Sequence, residues 1–504
     1  MTFLDGMTDQ SAFWAIGCPK EGQSLEEVRD LMLSQVRLLA GGEWDESLLK
    51  GILNNMKRRQ LEDMQSNEMR AHRFVDAFVS GQEWADAVGE MQRLDTLTKK
   101  TVVDCARRML TEGYGCVYKR QGTDTTAQKI DKPKISPIET NRDQVSAFVD
   151  SVLKMPVAEV EPVFVDFSRE IQTGKLTGGN ELITHRDINS RLFSLTFVIE
   201  RGTKEDPALA IAEQYMPYLG TDSLSATELQ SRLYALACDV SLSTGDGRTH
   251  LSISGLAENM EEALRLAEKW IGTAQPDTNV YAQVVNDILK LRTDNKANQK
   301  SCFRALSLYG IYGPHNELTD ALDAEQMRQM GAEGVLDHLR SLSGYAQHAL
   351  YYGPLETNQV CRLVNKLHPM SQNPVAAHES QFYTPQKVDQ DQVILAPYQA
   401  KNTHMMGFSS RDEAFDLEVL PYVGIFNEYF GGGMNSIVFQ ELRESRGLAY
   451  SAGASFSQAS NDADRERFYT RIITQNDKVK DCLEVFDQIV EQMPVSESAF
   501  SLAR

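Results

Sequence analysis

Basic residues are in deficit, cysteines and histidines stand apart, and no long apolar run occurs. Each shortage removes a class of function. The 51 lysines and arginines face 71 acidic residues, a net charge of −20. That balance argues against nucleic acid, which is held by basic surface that displaces counterions. Acidity spread along the chain would instead steer basic peptides toward it. The seven cysteines form no C-x-x-C pair, so neither a disulfide framework nor a cysteine zinc site is expected. Most read as small buried hydrophobes. No two of the nine histidines are three or four residues apart, so no helical pair of metal-binding histidines is present. No apolar run approaches the ~20 residues of a membrane span. The opening MTFLDGMTDQSAFWAIG has neither the basic n-region nor the apolar h-region of a signal peptide, and names no compartment. G-x-x-x-x-G-K-[ST] and G-x-S-x-G are missing too, which leaves nucleotide binding and a serine elbow unsupported.

What is present fits an ordinary globular chain, 41% hydrophobic and 24% charged over 504 residues. That length suits roughly three or four domains. An apolar run predicts a strand over residues 11–18, and Ser24 with Glu27 forms a capping box at the head of a helix reaching about Leu39. One long amphipathic helical region is expected over 45–78, a shorter helix over 99–110 and a closing strand over 115–118. A lone opening strand is too little for a sheet, so residues 1–120 read as the back of a domain that begins upstream. Residues 121–160 are polar, carry Pro133 and Pro137, and read as a linker with a short helix over 142–153.

A second unit spans 161–385. It offers strands at 192–200, 239–243 and 249–254, and helices at 207–219, 225–238, 260–271 and 280–294. Residues 52–84 align without a gap on 284–316, a constant offset of 232, with Asn54 on Asn286 and Gly81 on Gly313. The repeat implies one α+β unit duplicated in the chain. The last unit, 386–504, has expected strands at 393–395 and 404–408 and a helix over 415–427. It stops about 100 residues short of a full domain.

Residues 431–456, GGGMNSIVFQELRESRGLAYSAGASF, are the most distinctive stretch. Gly431, Gly432 and Gly433 supply freedom to adopt positive φ and to approach other backbone closely. Asn435 or Ser436 can cap a helix that buries Ile437, Val438, Phe439 and Leu442; Gly447 ends it, and a strand follows to Phe456. The junction presents Arg443, Arg446 and Tyr450. The plain structural reading is a turn, a solvated arginine face paired with Glu441 or Glu444, and a packed tyrosine.

This run resembles the C-terminal signature of the pitrilysin, insulysin and mitochondrial processing peptidase family of zinc metallopeptidases. The resemblance implies repeated two-layer α+β domains of mixed, mainly antiparallel sheet packed on helices. The four family domains would place residues 1–120 in the second, 161–385 in the third and 386–504 in the fourth. Family members with this stretch carry an Arg-x-x-x-x-x-x-Tyr pair facing a zinc-bound substrate, and Arg443 and Tyr450 match that spacing. They are implied as the catalytic contacts, with Gly431, Gly432, Gly433 and Arg446 as substrate-binding positions. The family's H-x-x-E-H and its mirror H-E-x-x-H do not occur here. The implied zinc cofactor would therefore sit on a missing N-terminal domain or a partner subunit, and this chain alone is expected to be inactive. The implied partners are a peptide or unfolded polypeptide, held partly as an added strand, and the metal-bearing half. A non-catalytic scaffold subunit and a plain peptide-binding module are the alternative readings.

Overall fold

The computed structural model describes all residues except 7–8, 21, 111–112, 123–145, 157, 159–160, 378–381 and 461–463. Most of the expected linker lies outside the described residues. The chain divides into two compact units, Met1–Leu53 with Glu62–Ile171, and Asn54–Leu61 with Gln172–Arg504.

In the first unit, β1 (Thr2–Gly6) and β2 (Ser11–Ala15) form an antiparallel hairpin, with Phe3 opposite Trp14. The sequence pattern predicted only the second of these strands. Helix α1 (Leu25–Gly41) begins at the Ser24–Glu27 capping box and ends at Gly42, where φ is +78°. The expected long helical region is two helices, α2 (Ser47–Asp63) and α3 (Asn67–Val79). The Ser66 hydroxyl accepts the Met69 N–H and starts a new helix, which breaks the run. Short helices α4 (Trp84–Val88) and α5 (Glu90–Leu94) precede α6 (Lys99–Met109), and α7 (Ala147–Leu153) and α8 (Phe167–Glu170) follow. The strand expected over 115–118 does not form. Val117 is 95% exposed, so the segment has no packed face to hold it in a sheet.

The second unit contains a six-stranded mixed sheet in the order β3-β4-β8-β5-β7-β6. Its elements in chain order are β3 (Ile171–Lys175), β4 (Glu181–Arg186), β5 (Leu192–Ile199), α9 (Leu209–Tyr215), α10 (Ala226–Ala235), β6 (Cys238–Thr244) and β7 (Thr249–Leu256). Helices α11 (Met260–Thr273), α12 (Thr278–Lys296), α13 (Gln299–Tyr312) and α14 (Ala324–Ser341) come next, then β8 (Gln347–Gly353) and α15 (Thr357–Leu367). Strand β4 runs parallel to β8, while β5 is antiparallel to both β7 and β8. The alternation of β5 explains the two layers. Phe193, Leu195, Phe197 and Ile199 are buried, while Ser194, Thr196 and Val198 are less so. The buried face meets Leu251 and Ile253 of β7, Ala349 and Tyr351 of β8, and the inner sides of α9, α11, α14 and α15.

The offset of 232 reappears in the helices. Ser66 caps α3 and Asn298 caps α13, and Gly81 and Gly313 after them both have positive φ, +66° and +81°. A backbone in that region favours glycine.

The remaining elements are β9 (Asn402–Arg411), α16 (Leu420–Asn427), α17 (Ile437–Phe439), β10 (Ala449–Ser457), β11 (Glu466–Gln475), α18 (Val479–Glu491) and α19 (Glu497–Ala503). The three strands form an antiparallel sheet in the order β10-β11-β9. Ala449, Ala452, Ala454 and Ile472 on one face pack with Val438, Leu442, Cys482, Val485 and Ile489. The strand expected over 393–395 is absent; Val393 and Leu395 are 84% and 85% exposed. Helix α16 begins at Leu420, with Pro421 in its first turn, rather than at 415.

Candidate functional site

The 431–456 stretch folds as an unbroken run of tight elements with two unusual turns. After α16 the chain winds as a π-helix over Glu428–Gly432, and after α17 as a second π-helix over Gln440–Ser445. The expected glycine turn is therefore a helical one. None of Gly431, Gly432 and Gly433 has positive φ. Gly431 is required for the second reason given by the sequence, close approach. A Cβ there would lie 2.3 Å from the Ala454 N and O atoms of β10. Ser436 occupies the N-cap position of α17, but its hydroxyl donates back to the Gly433 carbonyl at 2.6 Å. The second π-turn closes through the Gly447 N–H to the Arg443 carbonyl at 3.0 Å and the Leu448 N–H to the Leu442 carbonyl at 2.8 Å. Gly447, at φ +59°, makes the reversal into β10.

Tyr450 falls where the β10–β11 register slips. Ala449 faces Thr474 and Ser451 faces Ile473, so Tyr450 is the extra residue of a β-bulge. A bulge bends its strand and re-aims one side chain. Tyr450 is accordingly 75% exposed, although it lies between buried Ala449 and Ala452. No pattern of residue types announces this slip, so the sequence does not reveal it.

The bulge and the π-turn bring Arg443 and Tyr450 together. The Arg443 guanidinium sits 5.9 Å from the Tyr450 ring centroid and 4.8 Å from that of Phe439. Both distances suit cation–π attraction. The nearest carboxylate of Glu444 is 3.8 Å from Arg443 Nε, a loose contact at partly exposed side chains. Glu441 pairs instead with Arg446, at 3.3 Å. Arg446 is thus held on its own helix, apart from the Arg443–Tyr450 stack. The exposed hydroxyl of Tyr450 and the free edge of a forked guanidinium can together donate several hydrogen bonds to one carbonyl oxygen.

Beside Tyr450 is a cleft of about 420 Å³ that the sequence did not indicate. Its walls are the start of α13 (Asn298, Gln299, Lys300), β9 (Asn402, His404) and β11 (Ile473). These residues come from distant stretches, and only the packing of α13 against β9 unites them. His404 is half-buried on β9 and meets Phe303 edge-on at 5.4 Å. Burial, then the charges of Arg471 and Lys300, hold its imidazole below the usual histidine range.

Among the described residues, no group of three or more His, Cys, Asp or Glu side chains could hold a metal ion. Among the described residues, no helix is long and apolar enough to cross a membrane.

Residues 348–501 match the family described as the Peptidase M16 inactive domain. No curated protein matches the chain. Among solved structures, a peptidase M16 inactive domain from Pseudomonas fluorescens is similar, with 17% identity and a TM-score of 0.54, covering 66% of this chain and 82% of that one. The periplasmic protease PqqL from Escherichia coli is 13% identical with a TM-score of 0.55, over 95% of this chain and 56% of its own. The ferredoxin protease FusC, solved as a variant in complex with Arabidopsis ferredoxin, is 10% identical with a TM-score of 0.56, over 95% and 53%. The chain thus spans about half the length of these two proteases. At these identities the likeness is one of fold.

Proposed function

We propose that the chain is the C-terminal part of a zinc-dependent endopeptidase of the pitrilysin type, acting on peptides or unfolded polypeptides in a closed chamber. The observation that carries this reading is the Arg443–Tyr450 stack, in which both side chains are exposed and Tyr450 lines a cleft. The match of residues 348–501 to a peptidase domain and the fold shared with two proteases support it. FusC in complex with a ferredoxin supports a protein substrate.

In this reading the chain's residues bind and polarise the peptide, and the metal is held elsewhere. Arg443 donates its forked N–H groups to a peptide carbonyl. Tyr450 donates its hydroxyl to the oxygen on which negative charge develops, a contact that strengthens in the transition state. Phe439 limits the freedom of Arg443, so less orientation is lost when substrate binds. Gly431, Gly432, Gly433 and Arg446 belong to the same proposal as substrate-binding positions. The domain division 1–120, 121–160, 161–385 and 386–504 is part of the same proposal.

In-frame translation of the DNA upstream of the Met1 codon tests the arrangement. An open frame carrying H-x-x-E-H and a later glutamate is expected. A stop codon directly upstream with no such motif would overturn the single-chain peptidase and favour a partner subunit.

A further inference from the structure

The cleft beside Tyr450 has a charge opposite to that of the chain. Lys300 lies in its wall, on the first turn of α13. Arg471 belongs to the same sheet face. His404 pairs with Ile473 and Met406 with Arg471, while Thr470, Ile472 and Thr474 are buried on the other face. Side chains alternate along a strand, so Arg471 projects on the side of Ile473 and His404, roughly 7 Å along β11. Among the described residues, neither Lys300 nor Arg471 has a hydrogen bond or ion pair with a carboxylate. After burial, their fields also lower the pKa of His404.

We propose that this cleft is a carboxylate subsite, in which Lys300 and Arg471 receive an acidic group of the peptide whose backbone lies against Tyr450. The group is either an Asp or Glu side chain or the peptide's own C-terminal carboxylate. The cleft, about 420 Å³, has room for such a side chain or chain end. Asn298 and Asn402 offer amide donors around it, while the Gln299 amide donates to the Asn402 carbonyl at 2.7 Å. Attraction between one carboxylate and two cations is partly screened here, because the cleft is open to water. This inference rests on the proposed role in peptide binding and specifies the peptides preferred.

The test is fluorescence anisotropy on the full 504-residue chain, with three labelled short peptides of otherwise identical sequence. One carries an internal Glu and an amidated end, one carries Gln and a free C-terminus, and one carries Gln and an amidated end. One carboxylate peptide is expected to bind roughly five- to tenfold tighter than the neutral peptide, as a pair of partly solvated charge contacts permits. Which of the two it is identifies the source of the carboxylate. In the Lys300→Gln/Arg471→Gln double variant that ratio should fall to near one. Both side chains are exposed, and a melting curve superimposable on that of the parent confirms folding. Equal binding of all three peptides by the parent chain, or a ratio unchanged in the variant, would overturn the subsite while leaving peptide binding in place. Failure to bind any of the three would overturn both the subsite and the reading beneath it.

Discussion

Arg443 stands over the ring of Tyr450, its guanidinium 5.9 Å from the ring centroid, although seven positions separate the two residues in the chain. A π-turn delivers one and a β-bulge the other. Contacts of this kind couple energetically. Replacing Arg443 and Tyr450 by Ala, singly and together, should give non-additive losses in peptide affinity, with an interaction energy of about 0.5–1 kcal/mol. A double-mutant cycle by calorimetry measures it. Strict additivity would mean that the stack is not maintained in solution.

The glycines of the 431–433 run should differ sharply in tolerance. At Gly431 a Cβ would collide with the Ala454 backbone, whereas at Gly433 its nearest neighbour is Glu428 Oε2 at 3.8 Å. Gly431→Ala is therefore expected to cost about 1–3 kcal/mol, through overpacking against a sheet strand. Gly433→Ala should stay within about 0.5 kcal/mol of the parent. Urea unfolding of the two variants checks the contrast.

His404 gives the stability of this region a pH dependence. Its folded pKa lies below the unfolded value, through burial and the charges of Arg471 and Lys300. As pH falls through about 6.5, the unfolded chain takes up a proton that the folded chain resists, so stability drops. Above that pH both states are neutral and the effect vanishes. Unfolding midpoints measured either side of neutrality should fall further in the parent than in His404→Leu. Equal falls would remove His404 from the account.

Fold class was legible in the sequence, and the geometry that brings Arg443 beside Tyr450 was not. Local rules found the Ser24 capping box, the Gly447 reversal and the buried side of Ile437, Val438 and Leu442, because each depends on neighbours within a few residues. They predicted strands at 115–118 and 393–395, where β-favouring residues occur but no partner or core face is available. Strand propensity measures fit to a packed sheet, and those segments lack one. The three glycines suggested positive φ, while the actual constraint at Gly431 comes from Ala454, more than twenty positions away. The cleft wall was hidden for the same reason, since Lys300 and His404 are joined only by tertiary packing.

The chain by itself should not hydrolyse peptides, even with zinc added. Among its described residues no donor cluster suits a metal. Purified chain incubated with an internally quenched unfolded peptide and zinc should give no fluorescence increase above buffer. A zinc-dependent, chelator-sensitive rate would place metal ligands on this chain and require the division of labour to be redrawn.

The central claim is that Tyr450 stabilises charge developing on a peptide bound across this site. It is tested most directly by steady-state kinetics on the proposed peptidase, this chain joined to the metal-bearing half proposed for it, as the parent and as Tyr450→Phe. Removing only the hydroxyl should lower kcat by roughly a hundredfold, as loss of one oxyanion donor does, and leave KM nearly unchanged. An unchanged kcat would contradict the account and leave Tyr450 as a surface residue on a bulge.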